Sequence, residues 1–299
     1  MTNNKLRLGI IGMSEGNGHP YSWSAIFNGY DPEVMATCPF PVIPAYLAKQ
    51  KFPEDQIPNA EVTHIYTQSP EISAHIAAAA RIPNVVNEPE EMLGQIDALL
   101  LARDDAENHQ KFARPFLEAG VPVYIDKPLA LTVSAAEELL AMQRFPGQLF
   151  TCSALRYSPE LQLTEAQRKQ IGELRMIEAQ VQNSWQKYAI HIIEPALNCL
   201  PKPVQIARSR AFAAGQVQTL QALTTDGVYL RFQTCGKLPV PFGLTITGEK
   251  GQVTLTLTDT FSTFKNALLA FVQGIRERRP VIPAPETLQV IGLVEAGLT

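Results

Sequence analysis

Two stretches of the sequence carry residue types that could do chemistry on a small molecule. The first is Asp126, Lys127 and Pro128, which directly follows a short apolar run that we predict to be a buried strand. Proline lacks an N–H and fixes its own φ, so it ends the strand and leaves Lys127 at the carboxyl end. In an open parallel sheet, ligands bind at that end of the strands. The alternative is a surface lysine on an ordinary strand-to-helix turn.

The second stretch contains Lys187, His191 and Glu194, which are spaced i, i+4 and i+7. This spacing places them on one face of a predicted helix over residues 188–200, if the helix begins by Lys187. A histidine that titrates near neutrality suits proton exchange with an alcohol, and Glu194 would orient it. Lys187 would oppose protonation of the ring or bind an anionic group of the substrate. The alternative is a solvated helix face with no chemistry.

A glycine-rich loop follows the predicted first strand, residues 6–12, and precedes a helix predicted to start near Tyr21 or Ser22. Strand, glycine loop and helix in this order form a phosphate cradle in dinucleotide-binding proteins. Gly12 fits the first position of the G-x-G-x-x-G pattern, but Ser14 and Asn17 occupy the second and third. The alternative is a glycine loop that binds no ligand.

The end of the predicted second strand, residues 61–67, bears on the choice of cofactor. An acidic residue at this place usually binds the adenosine ribose of NAD, whereas this chain has Thr67 and Gln68. The sequence has no arginine cluster nearby that could bind a 2′-phosphate. The sequence therefore leaves NAD and NADP open.

Several other polar and aromatic residues have structural interpretations. We expect Asp104 and Asp105 to cap the helix that follows the predicted strand at residues 96–102. His19, in the glycine loop, is expected to be satisfied by its own backbone. Trp185 and Tyr157 are expected to be core residues rather than walls of a pocket.

The order of predicted elements indicates two domains. Strands and helices alternate over residues 1–147, which is typical of a Rossmann-like, doubly wound parallel sheet. Within residues 148–299, predicted strands at 149–157 and 174–181 and helices at 160–170 and 188–200 precede a run of strands between 204 and 257 and two closing helices. We interpret this half as an α+β domain with a mostly antiparallel open sheet, which could serve as a substrate platform or an oligomer interface. Residues 31–58 are rich in proline and are predicted to be a surface insertion with one helical piece near residues 45–51.

Composition narrows the classes of partner. The chain has 299 residues and a formal net charge of −4, without the basic surface that nucleic acids or anionic membranes need. Its start is polar, with no pattern typical of a signal peptide, and no apolar run is long enough to span a bilayer. The four cysteines are widely spaced, which favours reduced, buried thiols in the cytoplasm and predicts no metal site.

Taken together, several motifs are similar to those of the Gfo/Idh/MocA family, that of glucose-fructose oxidoreductase and the inositol dehydrogenases. The motif at residues 126–130 resembles the family's E-K-P-[LIM]-A signature. The other motifs lie at residues 8–12, 97–102 with Asn108 and His109, 155–157, 248–251 and 283–296.

The resemblance implies a role for each matching residue. Lys127 would lie beside the nicotinamide ribose and reach toward the reacting hydroxyl or carbonyl of the substrate, and Asp126 would orient it. His191 matches the acid/base histidine of a D-x-x-x-H pattern, but Lys187 stands where the aspartate would be. The predicted catalytic residues are Lys127, His191, Lys187 and Glu194, and the predicted cofactor-binding residues are Gly12, Met13, Ser14, Gly16, Thr67, Ala102, Arg103, His109, Asp126 and Lys127.

These features support an NAD(P)-dependent oxidoreductase that transfers hydride between nicotinamide and a hydroxyl or carbonyl carbon of a sugar, cyclitol or nucleotide-sugar-like substrate. One alternative is a lyase or glycosidase that oxidises its substrate transiently and recycles the cofactor. Another is a non-catalytic, dinucleotide-binding regulatory protein, which the altered glycine pattern and Lys187 would suit. The resemblance also implies a homodimer or homotetramer.

Overall fold

A computed structural model describes residues 5–298 of the chain. The polar start predicted at residues 1–4 lies outside the described residues. The chain forms two compact units, each assembled from separated segments. The first unit comprises the described residues up to Leu129 together with Glu137–Thr151 and Ala267–Pro283. The second comprises Ala130–Ala136, Cys152–Asn266 and the described residues from Ala284 onward.

The first unit contains a parallel sheet of six strands. Its strands are β1 (Leu6–Ile11), β2 (Ala60–Tyr66), β3 (Asn84–Val85), β4 (Ala98–Leu101), β5 (Val123–Ile125) and β6 (Leu149–Phe150). They are ordered β3-β2-β1-β4-β5-β6, and every neighbouring pair is parallel. All four residues of β4 are buried, because both faces of the central sheet are covered. The predicted Rossmann-like parallel sheet is confirmed.

Helices connect these strands. They are α1 (His19–Asn28), α2 (Pro32–Met35), α3 (Val42–Leu47), α4 (Pro70–Ala79), α5 (His109–Glu118) and α6 (Val133–Ala141), with short 3₁₀ helices at Pro89–Met92 and Ala106–Asn108. Ser69 caps α4, since its hydroxyl accepts a hydrogen bond from the amide of Ile72. Pro70 stands in the first turn of α4, where its missing N–H costs nothing. Both features agree with the sequence.

The second unit contains a sheet of six strands, ordered β12-β11-β7-β10-β9-β8. The strands are β7 (Leu174–Val181), β8 (Ile206–Ala214), β9 (Val217–Thr224), β10 (Tyr229–Thr234), β11 (Gly243–Gly248) and β12 (Gly251–Leu255). Only the β7–β10 pair is parallel among these neighbours. The predicted mostly antiparallel sheet and the hairpin at residues 248–251 are confirmed.

One face of this sheet packs on a core and the other is open. Along β7, Ile177, Ala179 and Val181 are buried, whereas Glu178 and Gln180 on the opposite face are partly exposed. We call this second surface the open sheet face.

The remaining helices are α7 (Glu165–Ile171), α8 (Trp185–Tyr188), α9 (Ile190–Asn198), α10 (Thr260–Glu277) and α11 (Ala284–Ala296), with 3₁₀ helices at Ala154–Tyr157 and Pro159–Leu161.

Some predicted elements were wrong in extent. The strand predicted over residues 149–157 ends at Phe150, because the Ser153 hydroxyl accepts the amide of Leu155 and starts a 3₁₀ helix. The helix predicted at 160–170 begins only after Thr164, which forms a capping box with Gln167. The helix predicted at 188–200 corresponds to α9, which is shorter at both ends, and the separate helix α8 precedes it.

Two further corrections concern the amino-terminal half. Helix α1 begins at His19, earlier than predicted, because Pro20 fits its first turn. The insertion contains two short helices, α2 and α3, in place of a single piece at residues 45–51. Asp31 caps α2 through its side chain, so an Asp-Pro start signal was overlooked.

Candidate functional site

In the first unit, Asp126 joins the end of β5 to the glycine loop. Its Oδ2 accepts a hydrogen bond from Nδ2 of Asn17 at 2.8 Å and lies 2.5 Å from Nδ1 of His19. Its Oδ1 accepts the amide of Lys127 at 2.8 Å. Asp126 is only 1 % exposed, so the carboxylate has exchanged water for these donors.

The surroundings of Asp126 favour its charged form. Burial alone would raise the pKa of this carboxyl, but the charge and hydrogen bond of His19, the charge of Lys127 and the hydrogen bond of Asn17 outweigh it. The net result is a pKa well below the ordinary aspartate value. Asp126 is therefore a fixed negative charge at the carboxyl end of β5.

His19 was expected to be satisfied by its own backbone, and this expectation is wrong. Besides its contact with Asp126, the ring of His19 stacks on Trp23 with 4.9 Å between centroids. Trp23 in turn stacks on Tyr124 of β5 at 4.7 Å. The glycine loop and the start of α1 are thus joined to β5 by hydrogen bonds and by stacked rings.

Lys127 is buried beside a second acid, Asp104. The ammonium Nζ lies 3.5 Å from Oδ2 of Asp104, and the lysine is 4 % exposed. The other carboxylate oxygen of Asp104 accepts the hydroxyl of Ser14 at 2.6 Å, and the Asp104 amide donates back to that hydroxyl at 3.0 Å. The alternative of a surface lysine on a turn is wrong. Ser14, which replaces a pattern glycine, connects the glycine loop to this pair.

Asp104 and Asp105 do not cap the following helix as predicted. Neither the 3₁₀ helix at Ala106–Asn108 nor α5 has a side-chain cap. Asp105 instead accepts two hydrogen bonds from Arg103, at 2.9 Å and 2.5 Å. A buried guanidinium close by outcompetes the helix amides, because it supplies two charged donors in matching geometry.

Arg103 also reaches the glycine loop. Its Nη1 donates to the carbonyl of Met13 at 2.9 Å and to Oε1 of Gln68 at 3.1 Å. The Gln68 amide bonds both backbone groups of Met13: Oε1 accepts the N–H at 3.1 Å and Nε2 donates to the carbonyl at 2.5 Å. Gln68 was not predicted as a site residue. Its position after β2, where an acid was expected, was the available signal.

Three predicted cofactor-binding residues have internal contacts. The Thr67 hydroxyl donates to the Ser69 carbonyl at 2.7 Å. The ring nitrogens of His109 lie 3.0 Å and 2.8 Å from the carbonyls of Leu129 and Arg103. Ala102 is fully buried, and its amide continues the β1–β4 ladder. Their role in cofactor binding stays a prediction.

The glycine loop has the form that a dinucleotide needs. It lies between β1 and the ten-residue helix α1, and the strand order reverses between β1 and β4, which is where such folds bind nucleotides. A Cβ at Gly12 would collide with the ring of Pro20, whereas Gly16 has a φ of +78° and open space around its Cα. Backbone can therefore approach a phosphate at Gly16, and the residues present fit the cofactor.

The second unit holds the other predicted group. Nδ1 of His191 lies 2.7 Å from the hydroxyl of Ser153, and the backbone N–H of Ser153 donates to Oε2 of Glu194. We predicted that Glu194 would orient His191 directly; instead, Ser153 lies between them. Ser153 was missed, because nothing in the local sequence marks a serine that precedes the histidine by 38 positions.

Glu194 belongs to a chain of charges. Arg156 lies 3.7 Å from Glu194 and 2.7 Å from Glu286, which also accepts Lys202 at 2.5 Å. Glu194 is 3 % exposed, so the alternative of a solvated helix face does not hold for it. Burial raises the pKa of Glu194 to about 7, although the charge of Arg156 opposes the shift. The carboxyl therefore takes up a proton far more readily than an exposed glutamate.

Lys187 and His191 lie on consecutive helices, α8 and α9, and both are partly buried. The ring of Tyr188 meets that of His191 edge-on, with 5.4 Å between centroids. Trp185 is fully buried, and its Nε1 donates to the Val294 carbonyl at 2.7 Å, as expected of a core residue. The catalytic roles of Lys187, His191 and Glu194 stay predictions.

Within residues 5–298, no three His, Cys, Asp or Glu side chains gather into a group that could hold a metal ion. Among the described helices, none combines the length and apolarity that crossing a bilayer requires.

Comparisons with known proteins agree with this geometry. The model of the GFO_IDH_MocA family, described as an oxidoreductase family with an NAD-binding Rossmann fold, matches residues 43–152. This match confirms the family resemblance seen in the sequence. A search of curated proteins found no match.

Solved structures share the fold over nearly the whole chain. Apo scyllo-inositol dehydrogenase from Lactobacillus casei has a TM-score of 0.73 at 15 % identity, with 99 % of this chain and 97 % of that chain covered. UDP-N-acetylglucosamine 3-dehydrogenase from Acidithiobacillus ferrooxidans has a TM-score of 0.69 at 14 % identity, with 97 % and 95 % covered. GenD2 from gentamicin A biosynthesis, in complex with NAD, has a TM-score of 0.70 at 15 % identity, with 98 % and 93 % covered.

Proposed function

We propose that the protein is an NAD(P)-dependent dehydrogenase, because residues 43–152 match the model of an oxidoreductase family with an NAD-binding Rossmann fold. Its substrate is a sugar, a cyclitol or a nucleotide-sugar-like molecule, and the reacting group is a hydroxyl or carbonyl carbon. The observation that carries the proposal is Lys127, buried at the carboxyl end of β5 and 3.5 Å from Asp104. The similar folds of an inositol dehydrogenase and a UDP-N-acetylglucosamine dehydrogenase support the substrate class.

The cofactor is NAD or NADP, held by the glycine loop and the strand ends beside it. When bound, the nicotinamide supplies the hydride chemistry. Met13, Ser14 and Gly16 present backbone to its phosphates, while Asp126 and Gln68 keep the loop in place through the hydrogen bonds described above. The other residues proposed to line the cofactor are Gly12, Thr67, Ala102, Arg103, His109 and Lys127.

The remaining roles belong to charged side chains. Lys127 polarises the reacting oxygen of the substrate, with Asp104 and Asp126 supplying the negative charge that keeps a buried ammonium in place. His191 exchanges the proton of that oxygen. Lys187 binds an anionic group of the substrate or tunes the histidine, and Glu194 supports His191 through Ser153.

We also propose a cytoplasmic homodimer or homotetramer that associates through the open sheet face. Phe212 of β8 is 40 % exposed and lies on this face, in register with Thr219 and Gln233. A shallow cavity of about 310 Å³ opens there, and its lining includes Glu178 and Arg231, which form an ion pair at 2.6 Å. Light scattering should show an oligomer that Phe212→Asp dissociates and that Phe145→Asp, at an exposed site in the other unit, leaves intact. A monomeric wild-type protein would refute the assembly.

The first test of function is a titration with NADH and with NADPH, followed by nicotinamide fluorescence and thermal shift together. Micromolar binding of either cofactor is expected, and lack of binding at millimolar concentration would refute the proposal. A screen of sugars, cyclitols and nucleotide sugars for NAD(P)H formation follows. Lys127→Ala should lower kcat/KM by at least about 100-fold, whereas Lys51→Ala, at an exposed lysine of the same unit, should not.

The same screen separates the alternative reactions. Substrate consumption without net change in NAD(P)H would point to a cofactor-recycling lyase or glycosidase. Cofactor binding without turnover, together with a biological activity that survives Lys127→Ala and His191→Ala, would indicate a regulatory protein.

A further inference from the structure

Ser153 has a small and complete set of hydrogen bonds in the second unit. It is fully buried. Its hydroxyl oxygen accepts the amide of Leu155 at 3.3 Å and lies 2.7 Å from Nδ1 of His191. An amide N–H can only donate, so among the described residues Nδ1 of His191 is the one acceptor for the hydroxyl proton of Ser153.

We propose that Ser153 is a positioning residue that holds the neutral ring of His191 in the tautomer protonated at Nε2. A buried hydroxyl that donated to nothing would lose its hydrogen bond to water without compensation. Ser153 therefore donates to Nδ1, and a neutral imidazole that accepts at Nδ1 carries its proton on Nε2.

The main chain aims the hydroxyl at the ring. Glu194 accepts the backbone N–H of Ser153, and Arg156 holds Glu194 from 3.7 Å. Ser153 also stands at the cap of the 3₁₀ helix Ala154–Tyr157, where its χ1 is restricted by the bond to Leu155. The hydroxyl is thus fixed from both sides, and the tautomer of His191 follows from this arrangement.

The direction of the Ser153 hydrogen bond matters for the ligand. A carboxylate partner can only accept, so it would place the proton on Nδ1 and leave Nε2 bare as a base. With Ser153 as donor, Nε2 offers an N–H, which a carbonyl oxygen can accept. This consequence rests on the proposed function: the neutral ring offers an N–H to the carbonyl form of the substrate, and proton exchange at Nε2 requires the Ser153 hydroxyl to turn from donor to acceptor of Nδ1.

Nitrogen NMR of the full-length protein, labelled with ¹⁵N-histidine and without ligand, tests the assignment. Long-range ¹H–¹⁵N correlations distinguish the two neutral tautomers, and His191→Gln identifies the signals of His191. We expect a protonated Nε2 and a bare Nδ1 above the titration of the ring. A proton on Nδ1, or an even mixture of tautomers, would overturn the proposal from the wild-type spectrum alone.

Variants then test whether Ser153 is the cause. Ser153→Ala should abolish the tautomer preference, and Ser153→Gly serves if the alanine variant does not fold. Ser158→Ala is the matched control, because Ser158 is equally buried and its hydroxyl has no partner within the described part of the chain. An unchanged His191 spectrum in the Ser153 variants would overturn the proposal.

The NMR result is independent of activity. If Nε2 is protonated and the preference depends on Ser153, but no oxidoreductase turnover is found, the tautomer assignment stands and the proposed function fails. If turnover is found but Nε2 is not protonated, the proposed function stands and the tautomer assignment fails.

Discussion

Nδ1 of His19 lies 2.5 Å from Oδ2 of Asp126, across 107 positions of sequence. Asn17 donates to the same oxygen at 2.8 Å. Asn17 of the glycine loop and His19 at the start of α1 therefore meet one carboxylate at the end of β5. Because Asp126 is buried, each of these bonds replaces a contact with water, and losing one leaves a charged acceptor undersupplied.

His19→Phe should lower the free energy of unfolding by about 1–3 kcal/mol, since it removes a donor to a buried carboxylate while keeping a ring to stack on Trp23. Urea unfolding followed by circular dichroism measures the change. His19→Gln, which retains an N–H, should lose less. Equal losses in the two variants would show that the hydrogen bond contributes little.

Ser14→Ala should destabilise the protein by roughly 1–2 kcal/mol. Its hydroxyl donates to the Asp104 carboxylate at 2.6 Å and accepts the Asp104 amide at 3.0 Å. Both residues are buried, so water cannot readily replace these hydrogen bonds. Ser24→Ala is the matched control, because Ser24 is buried in α1 with a hydroxyl that lacks a partner among the described residues. In thermal unfolding, Ser24→Ala should have a Tm near that of wild type and Ser14→Ala a lower one. A larger loss in Ser24→Ala than in Ser14→Ala would contradict the prediction.

Glu194→Gln should flatten the pH dependence of stability. The folded chain holds this carboxyl's proton up to a pKa of about 7, against 4.5 as the ordinary value. Between these values the folded state binds more protons than the unfolded state, so the free energy of unfolding falls as pH rises through the window. The stability lost across this window is roughly 3 kcal/mol, and the loss is complete above pH 7.

Urea unfolding at several pH values between 4.5 and 8 measures the slope. The slope should be smaller in Glu194→Gln than in wild type, whereas Glu165→Gln, at an exposed carboxyl of the same unit, should keep the wild-type slope. Parallel curves for wild type and Glu194→Gln would show that the carboxyl is ionised in the folded protein.

Gly248→Ala should cost about 1–3 kcal/mol, because a Cβ there would press on the backbone carbonyls of Ile171 and Glu173, which cannot move away cheaply. Gly251, its partner across the hairpin, has only the Gln170 carbonyl near a would-be Cβ, at 3.7 Å. Gly251→Ala should therefore stay within about 1 kcal/mol of wild type. Thermal unfolding of the two variants measures the difference in stability. Comparable losses of stability in both would contradict the packing argument.

Regular elements were largely predictable from the sequence. Runs of buried residues and alternating patterns placed β5 and β7 at their observed bounds, and start signals placed Ser69 at the cap of α4. Such patterns are local, since each depends on neighbours within a few positions. Where a polar side chain bonds a neighbouring backbone amide, as Ser153 does with Leu155, the apolar pattern predicts a strand that is too long.

The hydrogen-bond partners within the candidate site were not predictable. Lys127, His191 and Glu194 could be chosen by type and spacing, but the bonds of Gln68 to Met13 and of Ser153 to His191 join residues 55 and 38 positions apart. Nothing local marks such a pair. The division into domains at residues 147 and 148, and the roles of the predicted site residues, stay predictions.

The separated segments of each unit bear on synthesis at the ribosome. The first unit includes Ala267–Pro283, whose Phe271 packs against Tyr124 of β5 and Phe150 of β6 at 5.6 Å and 5.7 Å between ring centroids. During synthesis, the residues of β5 and β6 leave the exit tunnel well before Phe271. The aromatic cluster therefore cannot form until Phe271 has also emerged. The nascent first unit therefore exposes apolar surface until Phe271 has been synthesised, and this interval is when chaperones would have most to bind.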